Sequence, residues 1–443
     1  MPRGIRPEGL LPVVLGAAIF AFACGSSSVS RVQQAGRSAR WVLLALLLVL
    51  ALVAALRDRR PLRLPASVVA AAVALAALAL ASTFWSVAPR TSFEKAVTLA
   101  VLFATVGLLA SARVSADRLM AGAVGGAAAV ALAGLLVLAF RHADAVEPAT
   151  RDLPARYQGL GQNPNTVPLL LAPCLALAIW LLIRASSSPR RIILTAVALL
   201  FDGSMIASGS RGSLIAAFAG VAVVAVLLPA RTRTRASLVG LTAAVLAASI
   251  GLALVPKSKG AAWRPPPVVR VAEPGSHPNP GYANVEGSFP LDSDIGTLLI
   301  DSKPTGRTLF GLTGRGEAWR GAIDLGNERP VVGYAFGTEG LVFVDRWADF
   351  VGGLPENSYI GMYLQLGVVG LLALAALVVA LVWAAVRRPS RWEAAGPLGA
   401  FAAALILGLV QSYLYSVGNI ATLALWSAAF VAAAQPARTK ATS

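Results

Sequence analysis

A chain of 443 residues with 57% apolar residues, 13% charged residues and a mean hydropathy of +0.71 is too greasy for a soluble globular domain, where about a quarter of the residues are charged. Its net charge of +17 invites nucleic acid as a partner. Membrane proteins, however, collect arginine in their cytoplasmic loops, so the charge is assigned to topology and no nucleic acid is expected. A hydrocarbon core about 30 Å thick takes roughly 20 apolar residues per helix. Runs of this kind recur at 10–24, 41–56, 64–85, 96–112, 119–140, 166–184, 192–207, 212–228, 237–255, 359–386, 395–411 and 415–434. The fold expected is therefore an all-α integral membrane protein of about twelve transmembrane helices. Nine spans fill residues 1–255, three more fill 356–434, and a short tail, 435–443, follows. Between the two sets lies one long polar segment, 256–355, expected to be a large external loop.

Counting basic residues by side orients the bundle. With the N-terminus inside, the cytoplasmic segments hold nineteen Arg and Lys residues and the opposite short loops hold nine. Both termini are then cytoplasmic and the long loop is external. The N-terminal stretch through Cys24 also has the basic start, apolar centre and small-residue end of a secretory signal, a pattern that multispanning chains commonly retain as their first helix. Cys24 and Cys174 both fall at or within spans and read as packing residues.

Polar residues that the apolar background does not explain carry the functional signal, because each costs free energy in a bilayer unless it faces protein or water. The first cluster is STFWSVAPRTSFEK, Ser82–Lys95, where Trp85 reads as an interfacial anchor and Arg90 as a loop charge. The second is RYQGLGQNPNTVPLLLAP, Arg156–Pro173. Here Asn163 and Asn165 either offer amides to a polar ligand or cap the sixth helix and its turn. The third is SGSRGSLIAAFAG, Ser208–Gly220, a short connection with one charge, Arg211, beside Ser210. Its guanidinium is either a fork for phosphate oxygens or a snorkelling anchor. The fourth, Phe310–Gly340 in the long loop, contains a short amphipathic helix over Glu317–Leu325 with Trp319, Ala322 and Ile323 on one face and Arg315 at its start. No metal site is legible, since His142 and His277 have neither ligand spacing nor carboxylate company. Nor is there a Ser-His-Asp arrangement.

In this order and spacing the clusters resemble the O-antigen ligase and polymerase superfamily of membrane glycosyltransferases. The elements are WS at Trp85–Ser86, NPN at Asn163–Asn165, SRG at Ser210–Gly212, GRGEAW at Gly314–Trp319, GYAFGTEG at Gly333–Gly340 and ENSYIGMYLQLGVVG at Glu356–Gly370. The resemblance implies inverting transfer of a glycan from an undecaprenyl-diphosphate carrier to an acceptor hydroxyl at the outer face of the cytoplasmic membrane, without metal or cofactor. It also implies that Arg211 and Arg315 hold the diphosphate. Family members often carry His before Asn-Ser, where this chain has Glu356. A carboxylate can take the proton of an attacking hydroxyl, so Glu356 is the expected base, with Asn357 and Tyr359 as positioning residues. The acceptor, whether glycan, lipid or protein, is not legible. High Ala, Arg and Gly content points to a GC-rich genome and favours a polysaccharide polymerase or cell-surface glycan ligase over an enzyme acting on lipopolysaccharide. The main alternative is a polytopic transporter or flippase of lipid-linked glycan. Few charged residues in the spans and no repeated half-chain pattern weigh against it.

Overall fold

The computed structural model describes residues 7–58, 62–148, 155–229, 315–346 and 354–435, together with five isolated positions between 240 and 249. Among the described residues the chain is all-α apart from one two-residue strand pair. The helices are α1 (Pro7–Cys24), α2 (Ser30–Asp58), α3 (Ala66–Ala81), α4 (Pro89–Ser111), α5 (Ala116–Phe140) and a single turn, α6 (His142–Ala145). Strands β1 (Val146–Glu147) and β2 (Arg156–Tyr157) pair antiparallel. There follow α7 (Thr166–Arg184), α8 (Ser188–Ser208), α9 (Arg211–Val226), α10 (Arg315–Gly326), α11 (Glu339–Arg346), α12 (Ser358–Val386), α13 (Arg391–Leu407) and α14 (Thr422–Ala433).

Seven of these helices, α2, α4, α5, α7, α8, α12 and α3 with the 3-10 turn that extends it, are long and apolar enough to cross a membrane; α1, α9 and α14 are shorter apolar helices. The ninth predicted span, 237–255, has only the isolated positions described, and residues 256–314 of the long loop lie outside the described residues. The apolar surface is that of a protein bathed in lipid. Val42, Val49, Leu56, Leu136, Ile192, Leu199, Leu372 and Val379 are all exposed. In water such an area would drive aggregation; in hydrocarbon it costs nothing.

Burial is greatest in α7 and α14, which form the centre. Where helices cross closely, glycine faces glycine: Gly220 of α9 meets Gly399 of α13, and Gly16 of α1 meets Gly122 and Gly126 of α5. Small residues let backbones approach, which is how helices gain packing contacts when lipid offers no hydrophobic drive between them. The connections gather at two ends. At one, Arg63 donates to Gln435 O and Ala112 O, and Arg184 pairs with Asp117. At the other, Ser28 donates to Asp144 O, Ser27 bridges Gly161, and Arg40 donates to Gly418 O. This second end also holds the polar clusters.

Two irregular features differ from the expected run of helices. The last two spans are expected to end at 411 and to begin at 415; instead α13 stops at Leu407, α14 begins at Thr422, and 408–421 is an irregular segment in which Tyr413, Leu414, Tyr415, Val417 and Ile420 are buried. Non-helical backbone at such a place survives only if protein satisfies its polar groups. Thr422 Oγ1 donates to Tyr413 O and Ser416 O, and Trp426 Nε1 donates to Leu414 O. The second feature is a break in α12 at Gly367, whose φ of 62° is left-handed. Loop 330–337 threads into that break: Tyr334 N and Ala335 N donate to Leu364 O and Gln365 O, while Val368 N and Val369 N donate back to Pro330 O and Val331 O. A side chain at 367 would strike the Val331 carbonyl as well as strain the backbone. Gly367→Ala is therefore expected to lower stability by about 1–3 kcal/mol, seen as an earlier thermal unfolding midpoint of the detergent-purified protein.

Candidate functional site

The site grows from the turn that starts α12. Asn357 caps the helix: its Oδ1 accepts from Tyr359 N and Ile360 N, and its Nδ2 donates to Leu409 O. Ser358 ties the same turn to the 408–421 segment, donating to Gln411 O and accepting from Tyr413 N, and Tyr359 Oη donates to Leu405 O. Capping is thus done by Asn357, and Glu356 is left for other work. It sits one residue outside the helix with a left-handed φ of 47°, a conformation seldom adopted by a residue with a side chain. That backbone delivers its carboxylate to Arg315 at the start of α10, with Nε to Oε2 at 2.5 Å. Both side chains are partly exposed, 19% for Arg315 and 30% for Glu356, so a ligand can reach them.

α10 is held on α12 by Ala318, Ala322 and Leu325, which bury with Tyr334, Phe343 and Leu364. Of the predicted apolar face, Ala322 is buried, Trp319 half-buried and Ile323 40% exposed, and the stripe that packs on the protein is Ala318, Ala322 and Leu325. Trp319 stays half-buried on the same helix as Arg315. Trp85, expected as a membrane anchor, donates its indole N–H to Val332 O, while the neighbouring Phe84 is 93% exposed. Ser82 Oγ accepts from Phe336 N and Lys95 Nζ donates to Gly337 O, so the first cluster scaffolds the glycine-rich loop of the fourth. Arg90 makes an exposed pair with Glu94.

The second and third clusters are joined by Arg156, a buried arginine whose role the sequence did not show. Its Nε donates to Ser208 O and its Nη2 to Asn165 Oδ1. Asn163 Oδ1 accepts from Asn165 N, making the turn, so Asn163 shapes the chain and Asn165 holds Arg156 instead of capping α7. Gly209, left-handed with φ 64°, ends α8, and Ser210 Oγ hydrogen-bonds Ser213 Oγ at the start of α9. Arg211, partly buried, is the first residue of α9. Its neighbour Gly212 lies against Val410, so the first turn of α9 adjoins the segment that anchors Asn357 and Ser358. In this way the structure joins Arg315 to the Glu356–Tyr359 turn, and the first turn of α9, which carries Arg211, adjoins the segment that braces that turn through Gly212 and Val410.

Residues 194–375 match the family model described as O-antigen ligase. The matched segment runs from α8 into α12. The match supports the O-antigen ligase superfamily for the chain, and with it a glycosyltransferase-type membrane enzyme that works from a lipid-linked glycan donor to a glycan or lipid acceptor. No curated protein gives a significant match. The matched segment spans Arg211, Arg315 and Glu356, whereas residues 408–421 lie beyond it.

One residue of the matched segment did not stand out in the sequence. Glu339, the first residue of α11, is buried at 5% exposure. Its carboxylate accepts from Tyr415 Oη at 2.6 Å, Ser412 Oγ at 2.8 Å and Gln365 Nε2 at 3.3 Å. Burial outweighs those hydrogen bonds and the nearby Lys95 ammonium, and pushes the carboxyl up to about 7. A side chain at Gly361 of α12 would strike both the Tyr415 hydroxyl and this carboxylate, so the glycine leaves the room that the cluster occupies. Ser412 Oγ also accepts from Asn357 N, which puts Glu339 one hydroxyl away from the Glu356–Ser358 turn.

Proposed function

We propose that this protein transfers or polymerises a glycan from an undecaprenyl-diphosphate carrier onto an acceptor hydroxyl, for cell-surface polysaccharide assembly. The observation that carries the reading is the Arg315–Glu356 pair: a partly exposed guanidinium and a carboxylate held in contact by a left-handed backbone immediately outside the α12 cap. The acceptor oxygen attacks the anomeric carbon, and its proton passes to the Glu356 carboxylate. The bond from that carbon to the diphosphate breaks with inversion, its electron pair leaving on the phosphate oxygen. Arg315 and Arg211 bind the diphosphate and stabilise the charge that develops on it, an interaction that strengthens as the bond breaks. No divalent cation is needed in this scheme. Arrival of the diphosphate draws Arg315 from Glu356 and frees the carboxylate oxygen for the acceptor.

By the distribution of basic residues, the termini are cytoplasmic and this end of the bundle faces outward from the cytoplasmic membrane. Asn357 and Tyr359 position the turn, and Trp319 offers an aromatic face to a sugar. Flipping of the lipid-linked glycan is the second reading, and Asp202 favours it: this buried carboxylate of α8 bonds Ser249 Oγ at 2.9 Å, and intramembrane acids often mark transport pathways. Cells lacking the gene decide between the two. Transfer predicts lipid-linked glycan accumulating on the outer leaflet, whereas loss of a flippase leaves it on the inner leaflet.

A further inference from the structure

Glu339 binds three parts of the fold that are distant in sequence. Its own helix follows the glycine-rich loop, Gln365 belongs to α12 at the break, and Ser412 and Tyr415 belong to the irregular 408–421 segment. The charged or titratable groups facing it are Lys95 from α4 and Tyr415 from the 408–421 segment. Lys95 is itself fixed to Gly337 O, and Gln365 Oε1 accepts from Gly337 N, so the carboxylate's partners are locked by the same loop. The path to the site is short: Glu339 Oε1 holds Ser412 Oγ, Ser412 Oγ accepts from Asn357 N, and Asn357 adjoins Glu356.

We infer that Glu339 is a positioning residue of the transfer site, whose ionised carboxylate fastens Ser412 and Tyr415 and thereby holds the Glu356–Asn357–Ser358 turn in its working place. This rests on the transferase reading above. An ionised carboxylate accepts from all three donors at once. On protonation it gains a donor of its own, one of the three must turn away, and the turn loosens. Activity therefore rises with pH as Glu339 loses its proton. Stability moves the other way. The folded carboxyl holds its proton above the usual 4.5, so folding is favoured most below that value and the contribution is lost as pH rises toward about 7.

The test is a pair of pH profiles for wild type, Glu339→Gln and Ser412→Ala, reading thermal unfolding on one side and kcat and donor KM for glycan transfer on the other. Wild type is expected to gain about tenfold in kcat across two pH units of an ascending limb centred near neutrality. Glu339→Gln is expected to flatten both the limb and the fall in unfolding temperature, with donor KM changed less than about twofold. Ser412→Ala removes one hydrogen bond to the anion, so its limb moves to higher pH, which keeps the test available if the Gln variant does not fold. A limb that persists unchanged in Glu339→Gln, or stays in place in Ser412→Ala, overturns the inference. Wild type that forms no glycosidic bond at any pH sinks the transferase reading instead.

Discussion

Arg315→Ala is expected to cut glycan transfer by about 10²–10³-fold, the scale seen when one donor aimed at a developing charge is removed. The loss falls on kcat more than on KM, because the guanidinium gains most from the diphosphate as the anomeric bond breaks. Folding is not the cause: at 19% side-chain exposure Arg315 sits at the opening of the site, while α10 is held to α12 by Ala318, Ala322 and Leu325. Arg315→Lys keeps the charge but not the fork, and is expected to recover only part of the rate. Circular dichroism and thermal unfolding of each variant, alongside release of the carrier lipid, check this. Full turnover in Arg315→Ala would remove it from the site.

Glu356→Gln is expected to lose about 10²–10⁴-fold in kcat, the range for a positioned general base. The substitution preserves size and the left-handed backbone, and Asn357 still caps α12, so the unfolding midpoint should move little. Glu356→His is the informative partner. Histidine tolerates positive φ better than most residues, and its imidazole can take a proton near neutral pH. Activity that returns in the His variant, after its loss in Glu356→Gln, marks this position as the proton acceptor. If Gln turns over as fast as Glu, the carboxylate is only Arg315's counter-ion.

The helices were readable because a bilayer demands about twenty apolar residues in a row, a pattern that sequence displays directly. Their interruptions were not. Gly367 lies in a run that is apolar but for Gln365, and its left-handed turn follows from loop 330–337 entering α12, a contact between distant segments. The irregular 408–421 segment is hidden the same way, since Tyr413, Leu414 and Val417 are as apolar and buried as a helix would make them. At the site, Glu356 and Asn357 stood out as polar residues at the threshold of an apolar run, whereas Arg315, in a polar loop, was singled out only by the family resemblance. The face that α10 packs on α12, formed by Ala318, Ala322 and Leu325, was not legible, because it depends on the distant Tyr334, Phe343 and Leu364 that meet it.

Glu339 looked like one more acid in a glycine-rich turn. Its partners Lys95, Gln365, Ser412 and Tyr415 are spread over most of the chain, and only the tertiary fold gathers them. The one local hint was Gln365, an uncharged polar residue deep in the α12 run and only 1% exposed. A buried amide in lipid needs a partner, and this one bonds Glu339 and the Gly361 carbonyl. Asn165 was likewise legible as polar but not as the holder of Arg156.

The most direct test of the account is the fate of a lipid-linked glycan given to the purified, reconstituted protein in chelator, followed by mass spectrometry of both lipid and glycan. The account predicts one undecaprenyl diphosphate released for each new glycosidic bond, with inverted anomeric configuration, and loss of both products in the Arg315→Ala and Glu356→Gln variants. Lipid-linked glycan that reaches the opposite leaflet intact, with no diphosphate released and no bond formed, would contradict it.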